Sequence, residues 1–141
     1  MDSKVVVSAF QDDSLSSDDA IVIAEKIKTG ELDAKTVTRD AIRRAELVNP
    51  KLNAITEENF DFALANSEKT FSGIFQGVPT FIKDTDEVPG LPLYLGSRSL
   101  PGEPSEKFSK AAKQIIDTGL NCLGTTTTPE FGLTGTTESL R

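Results

Sequence analysis

The chain has 141 residues, 37% hydrophobic and 26% charged, the composition of an ordinary folded domain rather than of a fibre or a disordered tail. Its 15 Lys and Arg stand against 22 Asp and Glu, a net charge of −7, and with no basic face to override that balance nucleic acid is not expected as a direct partner. Histidine is absent, which removes any Ser-His-Asp triad, Cys-His pair or histidine-bearing zinc site from these residues, so a catalytic base has to be a lysine or a carboxylate.

Residues 1 to 14 show no hydrophobic period and read as a flexible leader to a domain over 15–141. Val5-Val6-Val7 is too short for the core of a secretion signal, and no apolar run reaches the roughly 20 residues of a membrane span, which points to the cytoplasm. Ser16-Ser17-Asp18-Asp19 fits a capping box, so a helix is expected from Ser16, carried by Ala20, Ile23, Ala24 and Ile27 and closed by Gly30. A second helix is expected over 34–48, capped by Asp33. Val37, Ala41, Ile42 and Ala45 form its apolar stripe, Arg39, Arg43 and Arg44 a solvated face, and Asn49-Pro50 its end. A third is expected from Glu57 to Lys69, where Phe60, Ala63 and Leu64 share a side.

After Gly73 the pattern turns to Val78-Pro79-Thr80-Phe81-Ile82, a short strand that stops at Lys83-Asp84. Residues 85–104 hold four prolines and three glycines and read as an irregular excursion. A helix over 105–118 ending at Gly119, a strand over Leu120–Leu123 and a loop from Gly124 complete the chain. Leu120 and Leu123 also predict that Cys122, the single cysteine, is a buried thiol with no disulfide to make.

Strand, excursion, helix and strand compose one right-handed crossover unit of a parallel sheet. Two strands are too few for a stable α/β core, so much of the fold is expected outside these residues, with the loss at the carboxyl end after Arg141. Such a unit without sheet neighbours should be marginally stable and prone to associate, a homo-oligomer being one outcome.

Lys83 is the foremost candidate for chemistry because it follows an apolar strand, and the active groups of open α/β sheets gather where strands end. The competing interpretation is a surface lysine paired to Asp84. To act as a base, a lysine has to be neutral, which burial or nearby positive charge favours and nearby carboxylates oppose; Asp84, Asp86 and Glu87 must then point elsewhere. The run Asp84-Thr85-Asp86-Glu87 lacks the glycine and distal glutamate of a calcium loop, so no metal is expected. Gly119, Gly124 and Thr125 imitate a phosphate loop but lack its lysine. Thr125-Thr126-Thr127-Thr128-Pro129-Glu130-Phe131-Gly132 reads alone as a hydroxyl-rich turn after a strand.

Taken in order, these pieces resemble the amidase-signature family from about Leu15 onward. Gly30-Glu31-Leu32 and Asn49-Pro50-Lys51-Leu52-Asn53-Ala54 are similar to its amino-terminal helices. Gly77-Val78-Pro79-Thr80-Phe81-Ile82-Lys83-Asp84, Gly90-Leu91-Pro92 and Gly96-Ser97 follow its Gly-Val-Pro, Lys-Asp, Gly and Gly-Ser order. Leu123-Gly124-Thr125-Thr126-Thr127-Thr128-Pro129-Glu130-Phe131-Gly132, with Thr137-Glu138-Ser139, resembles its Gly-Lys-Thr-Asn-x-x-Glu-Phe region, with Thr125 and Thr127 in place of the lysine and asparagine.

The resemblance implies an α/β fold in which amino-terminal helices precede a mixed, mostly parallel sheet, incomplete in this chain. It also implies amide hydrolysis by a lysine, a serine in a cis peptide and a second serine, with no cofactor and a small-molecule amide as substrate. The lysine falls on Lys83, and Phe131 and Gly132 fall where the acyl pocket is lined. Both serines of that family belong to glycine-rich stretches that these residues do not contain, and Ser97, Ser99 and Ser139 do not lie in the context of a nucleophile. Without them the chain alone is expected to be inactive. The alternative is a non-catalytic remnant that binds a protein partner through apolar faces of its first helices.

Overall fold

The computed structural model describes residues 7–138. Helix α1 runs over Ala20–Thr29, and its cap is Asp19, whose Oδ1 accepts from the backbone N–H groups of Ile21 and Val22 at 2.9 and 3.0 Å. It starts later than the capping box at Ser16 predicts. Ser16 has a φ of 47°, and Ser16 and Asp18 donate back to the carbonyls of Asp13 and Leu15, so the serines form a turn ahead of the helix. Gly30 closes it at φ 76°, as expected of a residue without a Cβ.

Helix α2, Ala34–Leu52, is capped by Asp33 accepting from Thr36 N at 2.8 Å, and it continues through Pro50 rather than ending there. Proline removes one ladder donor, a loss that the last turn of a helix tolerates better than its middle. Asn53, at φ 48°, then donates to Asn49 O at 2.7 Å. The side-chain oxygen of Asn49 accepts from the N–H groups of Ala54 and Ile55 at 2.8 and 3.0 Å, turning the chain out of the helix.

That turn delivers a strand the sequence did not announce. Strand β1 is Ile55–Glu58, and helix α3 is shortened to Phe60–Asn66 from the expected 57–69, because Ile55, Glu57 and Glu58 pair with a neighbouring strand. Strand β2 spans Pro79–Lys83. Helix α4 is Lys110–Ile116, capped by Ser109 accepting from Ala112 N at 3.2 Å. It begins after the expected Ser105 because that residue is bonded to the excursion, accepting from Gly90 N and donating to Leu91 O at 2.9 Å each.

Strand β3, Asn121–Thr126, continues past Gly124, where a loop was expected. The glycine explains the continuation. At φ 148°, a Cβ there would lie 2.2 Å from the carbonyl oxygen of Glu57, so only glycine lets β1 approach β3 this closely.

The sheet has the order β1-β3-β2, with β2 parallel and β1 antiparallel to β3. It is thus a mixed sheet carrying the expected parallel pair. Side chains alternate across β3. Leu123 packs with Ile42 of α2 and Ala63 of α3, whereas Cys122 packs with Ile82, Val88, Leu91 and Ala112 of α4. On the Leu123 face, the amide of the buried Asn121 donates to Thr38 Oγ1 at 3.1 Å and Ala63 O at 2.9 Å, joining the strand to both helices. A third cluster, Leu15, Ile23, Ala24, Val37 and Val78, seats α1 on α2. Among the described residues no helix is long and apolar enough to cross a membrane.

An ion pair fixes the segment before α1. The Asp13 side chain is 1% exposed and accepts from Arg44 Nε at 2.8 Å and Nη2 at 2.5 Å. The hydrogen bonds from Arg44, and secondarily its charge, hold the Asp13 carboxyl below its ordinary range against the opposing effect of burial. A carboxylate whose folded pKa is depressed stabilises the fold above its unfolded value, about 3.9, and loses that contribution as pH falls through the folded value. We expect the urea midpoint to fall below about pH 4, and Arg44→Met, which removes this contribution while keeping an unbranched stem, to flatten that part of the profile. An unchanged profile would exclude Asp13 as its source.

Candidate active site

Lys83 is the last residue of β2, paired across the parallel ladder with Thr126, and Asp84 N extends the pairing by donating to Thr126 O at 2.9 Å. Strand alternation separates the neighbours. Phe81 belongs to the cluster beneath α2 and α3, Ile82 to the one beneath α4. Lys83 is exposed, and Asp84 is fully buried.

Two of the carboxylates that follow, those of Asp84 and Asp86, are engaged away from Lys83, and Glu87 is tied through its backbone. Asp84 accepts from Tyr94 N through Oδ1 at 3.0 Å and from Gly96 N through Oδ2 at 3.1 Å. Asp86 accepts from Ser109 Oγ at 2.6 Å and Thr85 Oγ1 at 3.2 Å, and the Glu87 carbonyl accepts from Ser109 N at 3.1 Å. The surface pairing of Lys83 with Asp84 is therefore not formed. Among the described residues the lysine side chain has neither an ion-pair nor a hydrogen-bond partner.

Asp84 instead anchors the loop at 94–99. Leu95 and Gly96 are both left-handed, at φ 52° and 66°, and a Cβ on Gly96 would stand 2.2 Å from Thr128 O, so this loop lies tightly on the residues after β3. Ser97 is 1% exposed. Its hydroxyl donates to Glu130 Oε1 at 2.6 Å, lies 2.8 Å from Ser99 Oγ, and accepts from Ser99 N at 3.2 Å.

Glu130–Gly132 forms a short 3-10 turn in which Phe131 is left-handed, at φ 50° and ψ 20°. Phe131 N donates to Leu95 O at 2.7 Å, and its ring is about half exposed. Gly132, at φ 70°, would place a Cβ 3.9 Å from Thr85 Cγ2. Lys83, Phe131 and Gly132 thus arise at the carboxyl ends of the parallel pair, the two pocket candidates being held by Leu95 and beside Thr85. Two cavities lie beside these loops, lined by sequence neighbours of Lys83, Phe131 and Gly132 and not by those three residues. One of about 200 Å³ is bordered by Asn53, Thr56, Asp84 and Thr128, the other, of about 570 Å³, by Ser97, Arg98, Glu130, Leu133 and Thr134. The hydroxyls of Thr125 and Thr128 are buried without a hydrogen-bond partner among the described residues. Ser139 lies outside the described residues.

At the end of the parallel strand there stand, then, a lysine side chain without an ion-pair partner among the described residues and, beside it, a glycine-built loop braced by a buried aspartate. Residues 36–141 match the amidase family, and the chain belongs to it. It is 37% identical over 135 residues to the candidate amidase AmiC of Mycobacterium leprae, covering 96% of this chain. It is 28% identical over 123 residues to the A subunit of the glutamyl-tRNA(Gln) amidotransferase of Cyanothece sp., covering 82% of this chain. In structure it is similar to 6-aminohexanoate cyclic dimer hydrolase with bound substrate, with a TM-score of 0.80, 30% identity and 87% of this chain covered. The chain spans 29% of the length of the first of these proteins and 26% of each of the others.

Proposed function

We propose that these residues supply the lysine-bearing part of an amide-bond hydrolase, with Lys83 as its general base. In this mechanism Lys83 takes a proton relayed through one serine as a second serine attacks the amide carbonyl. The acyl-enzyme so formed is released by water as the acid. Phe131 and Gly132 border the space for the acyl group, the substrate is a small amide, no cofactor takes part, and the reaction belongs to the cytoplasm. The observation that carries the proposal is the separation of Lys83 from Asp84. The Asp84 carboxylate is taken up by two backbone donors, which leaves the Lys83 side chain without an ion-pair partner among the described residues.

Neither serine stands in a suitable context within the 141 residues, so the mechanism places them, with the oxyanion donors, in a longer product. The test compares the longest in-frame product containing these residues with the 141-residue chain. Each is mixed with an anilide, quenched, and weighed intact. The longer product is expected to carry an acyl adduct and to release the amine, and the 141-residue chain to do neither. Robust hydrolysis by the short chain that survives Lys83→Ala would overturn the proposal.

A further inference from the structure

Phe131 poses a physical problem. A bulky residue at φ 50° is costly, and such outliers persist only where surrounding contacts over-determine them. Leu95, across from it, is in the same state at φ 52°, and each is followed by a left-handed glycine, Gly96 or Gly132.

The two strained pairs are bound to each other. Phe131 N donates to Leu95 O at 2.7 Å, and the buried Ser97 hydroxyl, two residues after Leu95, donates at 2.6 Å to Oε1 of Glu130, the residue before Phe131. The second bond is short and charge-assisted. Ser99 completes it, its amide donating to Ser97 Oγ at 3.2 Å with its own hydroxyl 2.8 Å away. Ser97 N is itself bonded to Tyr94 O at 2.9 Å, and Asp84 holds Tyr94 N and Gly96 N. An unbroken path of hydrogen bonds therefore leads from the residue after Lys83 to the backbone of Phe131.

We infer that Ser97 and Glu130 are positioning residues, a clasp that holds Phe131 in its left-handed conformation and so sets which acyl groups fit beside it. The part concerning acyl groups rests on the amide-hydrolase proposal. The clasp itself does not. Neither residue touches reacting atoms; each acts through the loop it ties, and a carboxylate at 130 is needed only as an acceptor.

The first readout is amide hydrogen exchange at Phe131 in the full chain. Ser97→Ala and Glu130→Ala should each quicken exchange at Phe131 by about 10- to 100-fold, the loss expected for one charge-assisted hydrogen bond. Glu130→Gln, whose amide oxygen still accepts from Ser97, should restore most of the protection. Amides of α2, distant from the loop, report whether a variant has lost its fold, and Glu130→Gln keeps the test open if Ser97→Ala has. Exchange at Phe131 that stays within about twofold in Glu130→Ala, with α2 intact, overturns the clasp.

The second readout is selectivity in the hydrolytic product. Glu130→Ala should shift the ratio of kcat/KM between a bulky and a small acyl amide by about tenfold, with Glu130→Gln near the parent. Faster exchange with unchanged selectivity overturns the role in acyl choice while leaving the clasp. If hydrolysis survives Lys83→Ala, it is the base assignment that fails, and the exchange result still decides the clasp.

Discussion

Lys83→Ala is expected to lower amide turnover by the hydrolytic product about 10²- to 10⁴-fold, the usual contribution of a positioned general base. Its effect should fall equally on kcat and kcat/KM, because proton transfer is made in the transition state and not on binding. Lys83→Arg should be as inactive: a guanidinium cannot give up its proton to become a base, although it preserves charge and approximate length. Stability should hardly change in either variant, since the side chain is exposed and has no partner among the described residues. Steady-state kinetics beside a urea melt separate the two quantities. Turnover within about threefold of the parent in Lys83→Arg would show that charge, and not proton acceptance, is what position 83 supplies.

Asp84→Ala should do the reverse and act through the fold. The carboxylate is fully buried and accepts from Tyr94 N and Gly96 N at 3.0 and 3.1 Å. Its removal strips both donors of that acceptor. Bonds to a charged group are worth about 1.5 to 3 kcal/mol each, and recovery of the carboxylate's own desolvation cost reduces the sum to about 3 kcal/mol. Asp84→Asn should lose about half as much, because its amide offers one oxygen and turns an N–H group toward the second donor. The measurement is the urea midpoint, combined with hydrogen exchange at Tyr94 and Gly96. A loss below about 0.5 kcal/mol would mean that the 94–97 loop holds its shape without the aspartate.

Much of this arrangement could be anticipated where the causes are local. Asp33 and Gly30 mark helix ends because a short acceptor and a missing Cβ act within one turn. The end of β2 at Lys83 is visible because an apolar run gives way to charge. Strand β1 was hidden for the opposite reason: Ile-Thr-Glu-Glu carries neither alternation nor a run of β-branched residues, and its pairing depends on Gly124, more than sixty residues away. Pro50 reads as a stop because proline restricts the residue before it, but so near the end it costs the helix only one ladder donor, and the chain leaves the helix after Leu52, where Asn49 Oδ1 accepts from Ala54 N and Ile55 N.

The site divides along the same line. Lys83, Phe131 and Gly132 were marked by the family resemblance, and the structure puts them at the carboxyl ends of the parallel pair. The duties of Asp84, Ser97 and Glu130 were not legible, although all three stand in the matched motifs. Ser97 meets its carboxylate 33 residues further on, and nothing in a linear spacing says which serine turns inward. The divergence of Asp84 and Asp86 is likewise only a condition for Lys83 to act, met at Asp84 through backbone donors that any sequence could have supplied and at Asp86 through the hydroxyls of Ser109 and Thr85.

Cys122 gives the fold its own gauge. It is the single thiol of the chain, it sits in the strand that both other strands join, and burial pushes its pKa up. Since the thiolate is the form that reacts, an alkylating reagent can modify it at an appreciable rate only in molecules whose sheet has parted. The rate of that modification therefore counts how often the centre of the sheet opens, with no label added.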